Sequence, residues 1–143
     1  MSPIEMDFAD EDYRTIAEFR AGLRRFMRFS EEAALAVGLT PQQHQLLLAV
    51  RGFPAAGTPT IGDLANALQI RHHSAVGLVN RLEDNGFVRR EGSTIERRKV
   101  HVHLTDEGAK VLRSLIDAHR REYRLLVESV QPLLDSVAGR QSG

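Results

Sequence analysis

The sequence predicts a mainly α-helical domain that carries one small β-hairpin. Apolar residues recur every three or four positions through most of the chain, which is the period of one helix face. Apolar residues alternate with histidines in VHVHL, residues 100–104, shortly after a Gly-Ser-Thr turn signal. A length of 143 residues suits one compact domain and is too short for two ordinary ones.

Three helices are predicted in the first half of the chain. The first covers residues 13–37, and Gly38 supplies the left-handed residue that can end it. The second covers residues 41–51, because a threonine that can cap precedes a proline at the first helical position. After a stretch rich in Gly and Pro, the Thr60 hydroxyl caps a third, short helix, IGDLANAL.

The second half predicts a helix, the hairpin and a long helix. The fourth helix covers residues 72–84, where an Asn-Gly pair closes it. Two strands then flank the turn at residues 92–94. Thr105 and two acidic residues start the long helix, since a hydroxyl and negative charge suit a helix N-terminus. Pro132 predicts the start of a separate last helix, because proline is disfavoured inside one.

Composition excludes several classes of function. The chain has no cysteine, which rules out disulfides, thiolate metal sites and thiol catalysis together. No apolar run approaches the roughly 20 residues that span a bilayer, and the acidic N-terminus is unlike a secretory signal. We therefore expect a cytoplasmic protein with no membrane role.

The charge is balanced overall but uneven along the chain. The formal net charge is zero, which by itself argues against a nucleic-acid partner. Residues 71–104, however, hold seven basic and four acidic residues together with four of the six histidines. The positive excess thus coincides with the fourth helix and the hairpin.

The predicted order of elements suits sequence-specific DNA binding. It consists of two short helices that are joined by a tight turn and followed by a basic hairpin. The second helix of such a pair can enter the major groove, and the hairpin can reach the backbone and the minor groove. A helix pair alone is weak support, since many all-helical domains contain one. Together the features predict a winged helix-turn-helix domain.

The chain resembles the MarR family of bacterial transcriptional regulators. Four segments carry the resemblance in fixed order: LTPQQHQLLLAV, IGDLANAL, SAVGLVNRLEDNGFVRR and ERRKVHVHLTDEG. The resemblance implies one domain over residues 1–143. Within it, N- and C-terminal dimerisation helices, residues 12–37 and 106–139, would flank a winged helix-turn-helix DNA-binding lobe at residues 40–105.

The resemblance also implies which residues touch DNA. Arg98 would enter the minor groove from the wing, while Arg97 and Lys99 would reach phosphates. The expected contacts of the recognition helix are Arg71, His72, His73, Ser74, Gly77, Asn80 and Arg81.

Three departures from the family pattern affect this expectation. His72 stands where proline is common, Gly77 where arginine is common, and Glu96 where the wing usually has aspartate.

Several alternatives remain open at this point. Arg97 and Arg98 could be solvated turn charges, and one histidine of the His72-His73 pair could fill the helix cap instead of contacting DNA. Arg81 could pair with Glu83 or Asp84 within the domain. Such pairs on helix surfaces are common.

The remaining implications concern assembly and control. The resemblance implies a homodimer on a near-palindromic double-stranded operator, acting as a repressor that a small aromatic or phenolic ligand releases. The alternative to a dimer is that the apolar faces of the first and last helices form a single monomer core. The residues predicted to line the ligand pocket, each of which also suits a core, are Phe19, Arg20, Phe26, His44 and Phe53.

Other functions are less well supported. A zinc-responsive regulator is the main alternative, because His101 and His103 share one face of a strand, but a third ligand is missing from the pattern. No phosphate loop, nucleophile elbow or HExxH pair is present, so we expect no enzyme activity and no cofactor. A module that has lost its DNA role is disfavoured by the three basic residues at positions 97–99.

Overall fold

The computed structural model describes residues 7–54, 57–92, 99–137 and 139. Its elements confirm a mainly helical chain with one antiparallel hairpin. They are, in chain order, α1 (Asp10–Ala36), α2 (Pro41–Arg51), α3 (Ile61–Leu68), α4 (His72–Asp84), β1 (Val88–Gly92), β2 (Val100–Leu104) and α5 (Asp106–Asp135). Among the described residues, no helix is both long enough and apolar enough to cross a bilayer.

The chain forms two compact units. The terminal unit contains residues 1–30 and 119–143, and the central unit contains residues 31–118. Helices α1 and α5 each contribute residues to both units.

Reciprocal capping fixes the starts of α2 and α3, as the sequence predicts. The Gln43 backbone N–H donates to the Thr40 hydroxyl over 3.2 Å, and the Gln43 side chain accepts from the Thr40 N–H over 3.0 Å. Thr60 and Asp63 repeat the arrangement at 3.1 and 2.9 Å. Each cap satisfies helix-end N–H groups that otherwise lack a partner.

Left-handed residues end three of the helices. Gly38 and Gly86 have φ of +80°, which confirms the predicted ends of the first and fourth helices. Gln69, with φ of 56°, ends α3 in the same way, and the Ile70 N–H then bonds back to the Ala65 carbonyl over 3.0 Å. This stop was not predicted, because glutamine rarely adopts that conformation.

The hairpin pairs Val88 with Leu104 and continues in register to Gly92 opposite Val100. A short segment that precedes α3 lies on the other side of β2. Thr60 bridges His101, and the Val102 N–H donates to the Pro59 carbonyl over 2.9 Å. Sequence analysis missed this third segment, because proline and glycine flank it and indicate a loop.

The core of the central unit joins the helix pair, the hairpin and the start of α5. Its fully buried large side chains are Leu39, Leu46, Leu47, Leu64, Val79, Leu82, Val88, Val102, Leu112 and Leu115. Truncating such a leucine to alanine usually costs about 2–5 kcal/mol. The core therefore holds the helix pair and the base of the hairpin in one packed body.

The start of α5 packs tightly against the turn before β1. The Thr105 hydroxyl donates to the Gly86 carbonyl over 2.6 Å and accepts from the Gly108 N–H over 3.0 Å, which confirms the predicted cap. A Cβ at Gly108 would overlap the carbonyl oxygen of Phe87. Only glycine fits this close approach of helix and backbone.

An aromatic cluster is the main packing feature of the terminal unit. The His119 ring is fully buried, with ring centroids 5.2 Å from Phe29, 5.9 Å from Phe26 and 5.6 Å from Tyr123. The cluster therefore packs the C-terminal half of α5 against α1 within this unit.

The prediction that Pro132 begins a separate helix is wrong. Helix α5 continues through Pro132 to Asp135, and the Ser136 N–H bonds to the Pro132 carbonyl over 3.1 Å. Proline removes one backbone hydrogen bond, and in the last turn of a long helix that single loss is tolerated.

Candidate nucleic-acid interface

Helices α3 and α4, joined by the turn at residues 69–71, form a helix-turn-helix. Helix α4 buries Ala75, Leu78, Val79 and Leu82 in the core of the central unit. These positions follow the helical period, so the opposite side of α4 faces away from the core. That side holds the residues that the sequence predicts for DNA contact.

The N-terminal end of α4 is open to solvent. Arg71, His72, His73 and Ser74 are all exposed. Arg71 is the N-cap residue with an extended backbone, φ −70° and ψ 151°, and no side chain caps the helix. The alternative in which one histidine fills the cap is therefore wrong, since both histidines lie in the first turn.

Gly77 lies one turn beyond His73 on the outer side of α4. Apart from the backbone of α4 itself, no atom of the described residues lies within 4 Å of the place where its Cβ would be. The site thus has room for a side chain, and glycine is not required there by packing.

Asn80 is less accessible than the sequence suggested. The residue is half-buried, and its Oδ1 atom is enclosed without a hydrogen-bond partner among the described residues. Asn80 thus lies at the edge of the exposed face, whereas Arg81 is fully part of it.

The ion pairs near the end of α4 differ from those considered for Arg81. Glu83 binds Arg90 of β1, with its Oε1 atom 3.2 Å from Nη2. Within the described part of the chain, Arg81 pairs with neither Glu83 nor Asp84 and stays exposed. Its charge is thus available to a ligand.

The wing is described on both strands but not at its tip. Arg97 and Arg98, together with Glu96, lie outside the described residues, so their predicted roles stay predictions. Lys99 is exposed where the second strand begins.

Sequence analysis did not single out two basic residues of β1. Arg89 has a side chain that is 59% exposed and lies 3.7 Å from Glu91, while Arg90 is tied to Glu83. A signal was present, because both arginines follow directly on the end of the predicted recognition helix in a basic segment.

The local electrostatics stabilise the ionised form of Asp63 at the start of α3. The Thr60 backbone N–H that donates to Asp63 lowers the pKa of this carboxyl, and its burial opposes the shift. The Thr60 hydroxyl and the nearby His101 and Lys99 also lower it. Asp63 therefore holds its charge at the base of the wing.

The histidines of β2 lie close to oxygen atoms of the protein. His101 Nδ1 lies 2.9 Å from the Thr58 carbonyl oxygen, and His103 Nε2 lies 2.7 Å from the Glu91 carboxylate. Across the described residues, no three His, Cys, Asp or Glu side chains are grouped so that they could hold a metal ion. The zinc alternative thus finds no support there.

The residues predicted to line a ligand pocket divide between the two units. Phe19, Arg20 and Phe26 belong to the terminal unit, where Phe26 is part of the aromatic cluster. His44, which is buried, and Phe53, which is half-buried, belong to the central unit. Their role in ligand binding stays a prediction.

A helix-turn-helix followed directly by a hairpin wing defines a winged helix-turn-helix protein. Residues 37–99 match the family model described as MarR family. This match covers less than half of the chain, and it agrees with the resemblance that the sequence motifs indicated.

Curated relatives agree with this assignment. The regulator PecS of Dickeya dadantii (strain 3937) is 35% identical over 69 residues, which are 48% of this chain and 40% of PecS. The transcriptional activatory protein BadR of Rhodopseudomonas palustris (strain ATCC BAA-98 / CGA009) is 33% identical over 91 residues, 64% of this chain and 52% of BadR. The chain spans about half the length of the curated relatives that it matches.

Solved structures share the fold. A mutant of MarR from E. coli, solved as a complex with operator DNA, is 22% identical and has a TM-score of 0.65. The similarity covers 94% of this chain and 93% of the MarR chain. The fold of that MarR chain is thus shared over nearly the whole sequence.

Proposed function

We propose that this chain is a cytoplasmic transcriptional regulator that binds double-stranded DNA in a sequence-specific manner. The observation that carries the proposal is the exposed face of α4, which presents Arg71, His73, Ser74 and Arg81 beside a basic hairpin. The described residues of the central unit leave this face exposed. An α-helix of this kind fits the major groove, which is about 12 Å wide.

Each part of the interface has its own role in the proposal. Residues of α4 read base edges, because arginine, histidine and serine side chains donate hydrogen bonds to guanine and to phosphates. Arg98 at the wing enters the minor groove, whose negative potential attracts arginine, while Arg97 and Lys99 contact phosphates. Gly77 adds no side chain to the readout, so the operator preference differs from that of relatives with arginine there.

Salt dependence tests the DNA contacts. With roughly 6–10 phosphates engaged by a dimer, affinity should fall about 10³- to 10⁵-fold between 50 and 200 mM salt. Fluorescence anisotropy with a duplex from the region upstream of the chain's own gene measures this slope. A salt-independent affinity would contradict the proposal.

The variant Arg98→Ala tests the wing. We expect weaker binding across all duplex sequences and a salt slope reduced by about one or two, because each dimer loses two charged contacts. The matched variant Lys110→Ala removes a basic residue that pairs with Glu107 on the exposed surface of α5, and it should leave affinity unchanged. If the two variants had the same DNA affinity and the same salt slope, the proposed role of Arg98 would be ruled out.

The proposal includes a homodimer formed by the N- and C-terminal helices, with residues 40–105 as the DNA-binding lobe. Apolar side chains exposed on α1 and α5 of the terminal unit support it. They are Tyr13, Leu23, Met27, Tyr123, Leu125, Val127 and Leu134. A monomeric protein rarely exposes so many large apolar side chains on two neighbouring helices. Sedimentation should give a dimer at micromolar concentration, and a monomer would contradict this part.

Control by a small aromatic or phenolic ligand completes the proposal, with repression as the direction. The support is the similarity of residues 37–99 to the MarR family, and the predicted lining is the set Phe19, Arg20, Phe26, His44 and Phe53. A ligand shifts the equilibrium only if it prefers the conformation that does not bind DNA. A panel of phenols and benzoates, added to the protein–DNA complex, should include compounds that release the duplex.

A further inference from the structure

Glu83 forms an ion pair with Arg90 that joins two elements of the DNA-binding lobe, helix α4 and strand β1. Its Oε2 atom accepts the Arg90 backbone N–H over 2.9 Å. Its Oε1 atom accepts from Arg90 Nε over 3.2 Å and lies 3.2 Å from Nη2. Both carboxylate oxygens are therefore used by one residue of the wing strand.

The position of Glu83 in α4 is unusual for an acid. It lies in the last turn of α4, where the helix dipole disfavours negative charge. The hydrogen bond from the Arg90 backbone, the largest contribution, and the Arg90 side chain lower the pKa of the Glu83 carboxyl. The ionised form is thus stabilised by β1, not by the helix that carries it.

The hydrogen bond from the Arg90 backbone N–H to Glu83 also holds the backbone of the hairpin. β1 pairs with β2 on one side only, so an outward N–H of β1 would otherwise face solvent. The Arg90 N–H is such a group, and Glu83 satisfies it. The last turn of the recognition helix therefore holds the middle of the first wing strand by main chain and side chain together.

We propose that Glu83 is a positioning residue for DNA recognition, which sets the angle between helix α4 and the wing through Arg90. The proposal rests on the DNA-binding function given above. That function requires α4 and the wing to engage adjacent grooves at the same time, so their relative orientation must be held before binding.

The neighbouring residue Asp84 provides a matched control. It is exposed and immediately follows Glu83, and its side chain has no hydrogen bond or ion pair among the described residues. Glu83→Ala and Asp84→Ala remove the same charge near the DNA. Loss of an acid should by itself strengthen binding, because less negative charge faces the phosphates.

The experiment measures operator affinity by fluorescence anisotropy for the intact chain and its variants. We expect Glu83→Ala to bind about tenfold more weakly, Glu83→Gln to bind with intermediate affinity because its amide oxygen still accepts, and Asp84→Ala to bind as tightly as wild type or more tightly. Equal or tighter binding by Glu83→Ala would overturn the proposal.

A double-mutant cycle separates positioning from direct contact by Arg90. If Arg90 acts through Glu83, Arg90→Ala, which keeps the bond from the backbone N–H, should weaken binding by no more than Glu83→Ala, and the double variant should bind no more weakly than Glu83→Ala. Additive losses would mean that Arg90 contacts DNA itself and would overturn the proposal. Thermal unfolding and circular dichroism check that each variant is folded at the assay temperature.

Failure of the proposed function gives a different result. If wild-type protein binds no duplex, DNA binding and the positioning role both fall. If wild type binds and the Glu83 variants bind equally well, only the positioning role falls.

Discussion

Substitutions at Gly77 of α4 can test stability and DNA recognition separately. A Cβ there meets no atom within 4 Å, and glycine in a helix interior costs about 1 kcal/mol relative to alanine. We therefore expect Gly77→Ala to raise the free energy of unfolding by roughly 0.5–1 kcal/mol in urea denaturation.

Gly77→Arg tests the same position for recognition. The variant should be as stable as wild type, because the side chain extends into open space, and its preferred operator should change because arginine reads guanine. A destabilised variant would show that the outer face of α4 is packed, contrary to the structure.

Substitution of Gly108 by alanine should lower stability, whereas the same substitution at Gly77 should raise it. A Cβ there overlaps the Phe87 carbonyl oxygen, which is backbone and cannot rotate away. We expect Gly108→Ala to lower the free energy of unfolding by about 1–3 kcal/mol, as overpacking does. Urea denaturation with Gly77→Ala as the control measures this, and equal stabilisation of both variants would contradict the close approach.

The lowered pKa of the Asp63 carboxyl leads us to expect that stability depends on pH. Its folded-state pKa is lowered below the ordinary value of 3.8, chiefly by the Thr60 backbone N–H. Its ionised form thus stabilises the fold fully above that pH, and the contribution disappears as the pH falls through the folded-state pKa.

The variant Asp63→Asn isolates this charge. At pH 7 it should be less stable than wild type by roughly 0.3–1 kcal/mol, and the difference should shrink toward zero below pH 3.8. Asp84→Asn, at the C-terminal end of α4, should show no such loss. A difference for Asp63→Asn that persists in acid would refute the electrostatic origin.

At the scale of elements, the helices with local start and stop signals were predictable. Thr40 and Thr60 cap as expected because a capping box depends only on residues three apart. Gly38 and Gly86 end helices for an equally local reason, their tolerance of positive φ.

Two features that sequence reasoning missed have different causes. The segment at residues 58–60 is held by β2, some forty residues further on, so its own Pro and Gly content indicated only a loop. Pro132 is exposed and stays within α5 because the loss of one backbone hydrogen bond is tolerated in the last turn of a long helix.

The candidate site was predictable in position more than in detail. The exposed face of α4 follows from helical periodicity, which placed Arg71, His73, Ser74 and Arg81 correctly at the surface. The burial of Asn80 Oδ1 and the pairing of Glu83 with Arg90 depend on how the hairpin packs against α4. Spacing along one helix carries no information about that contact.

At the scale of the whole molecule, the central and terminal units have different features. The central unit holds α4 and the base of the wing on one packed core. The terminal unit exposes apolar side chains on α1 and α5. In the dimer that we propose, two recognition helices would enter successive major grooves, and the preferred site would be a near-palindrome.

Selection of binding sites from a library of random duplexes tests this central claim most directly. The purified, intact chain should enrich a near-palindromic sequence whose half-sites lie about one helical turn, roughly 10–10.5 base pairs, apart. Hydroxyl-radical footprints should then protect both half-sites. Recovery of random sequences without enrichment, at a salt concentration low enough for phosphate contacts to form, would contradict the claim that this protein reads DNA.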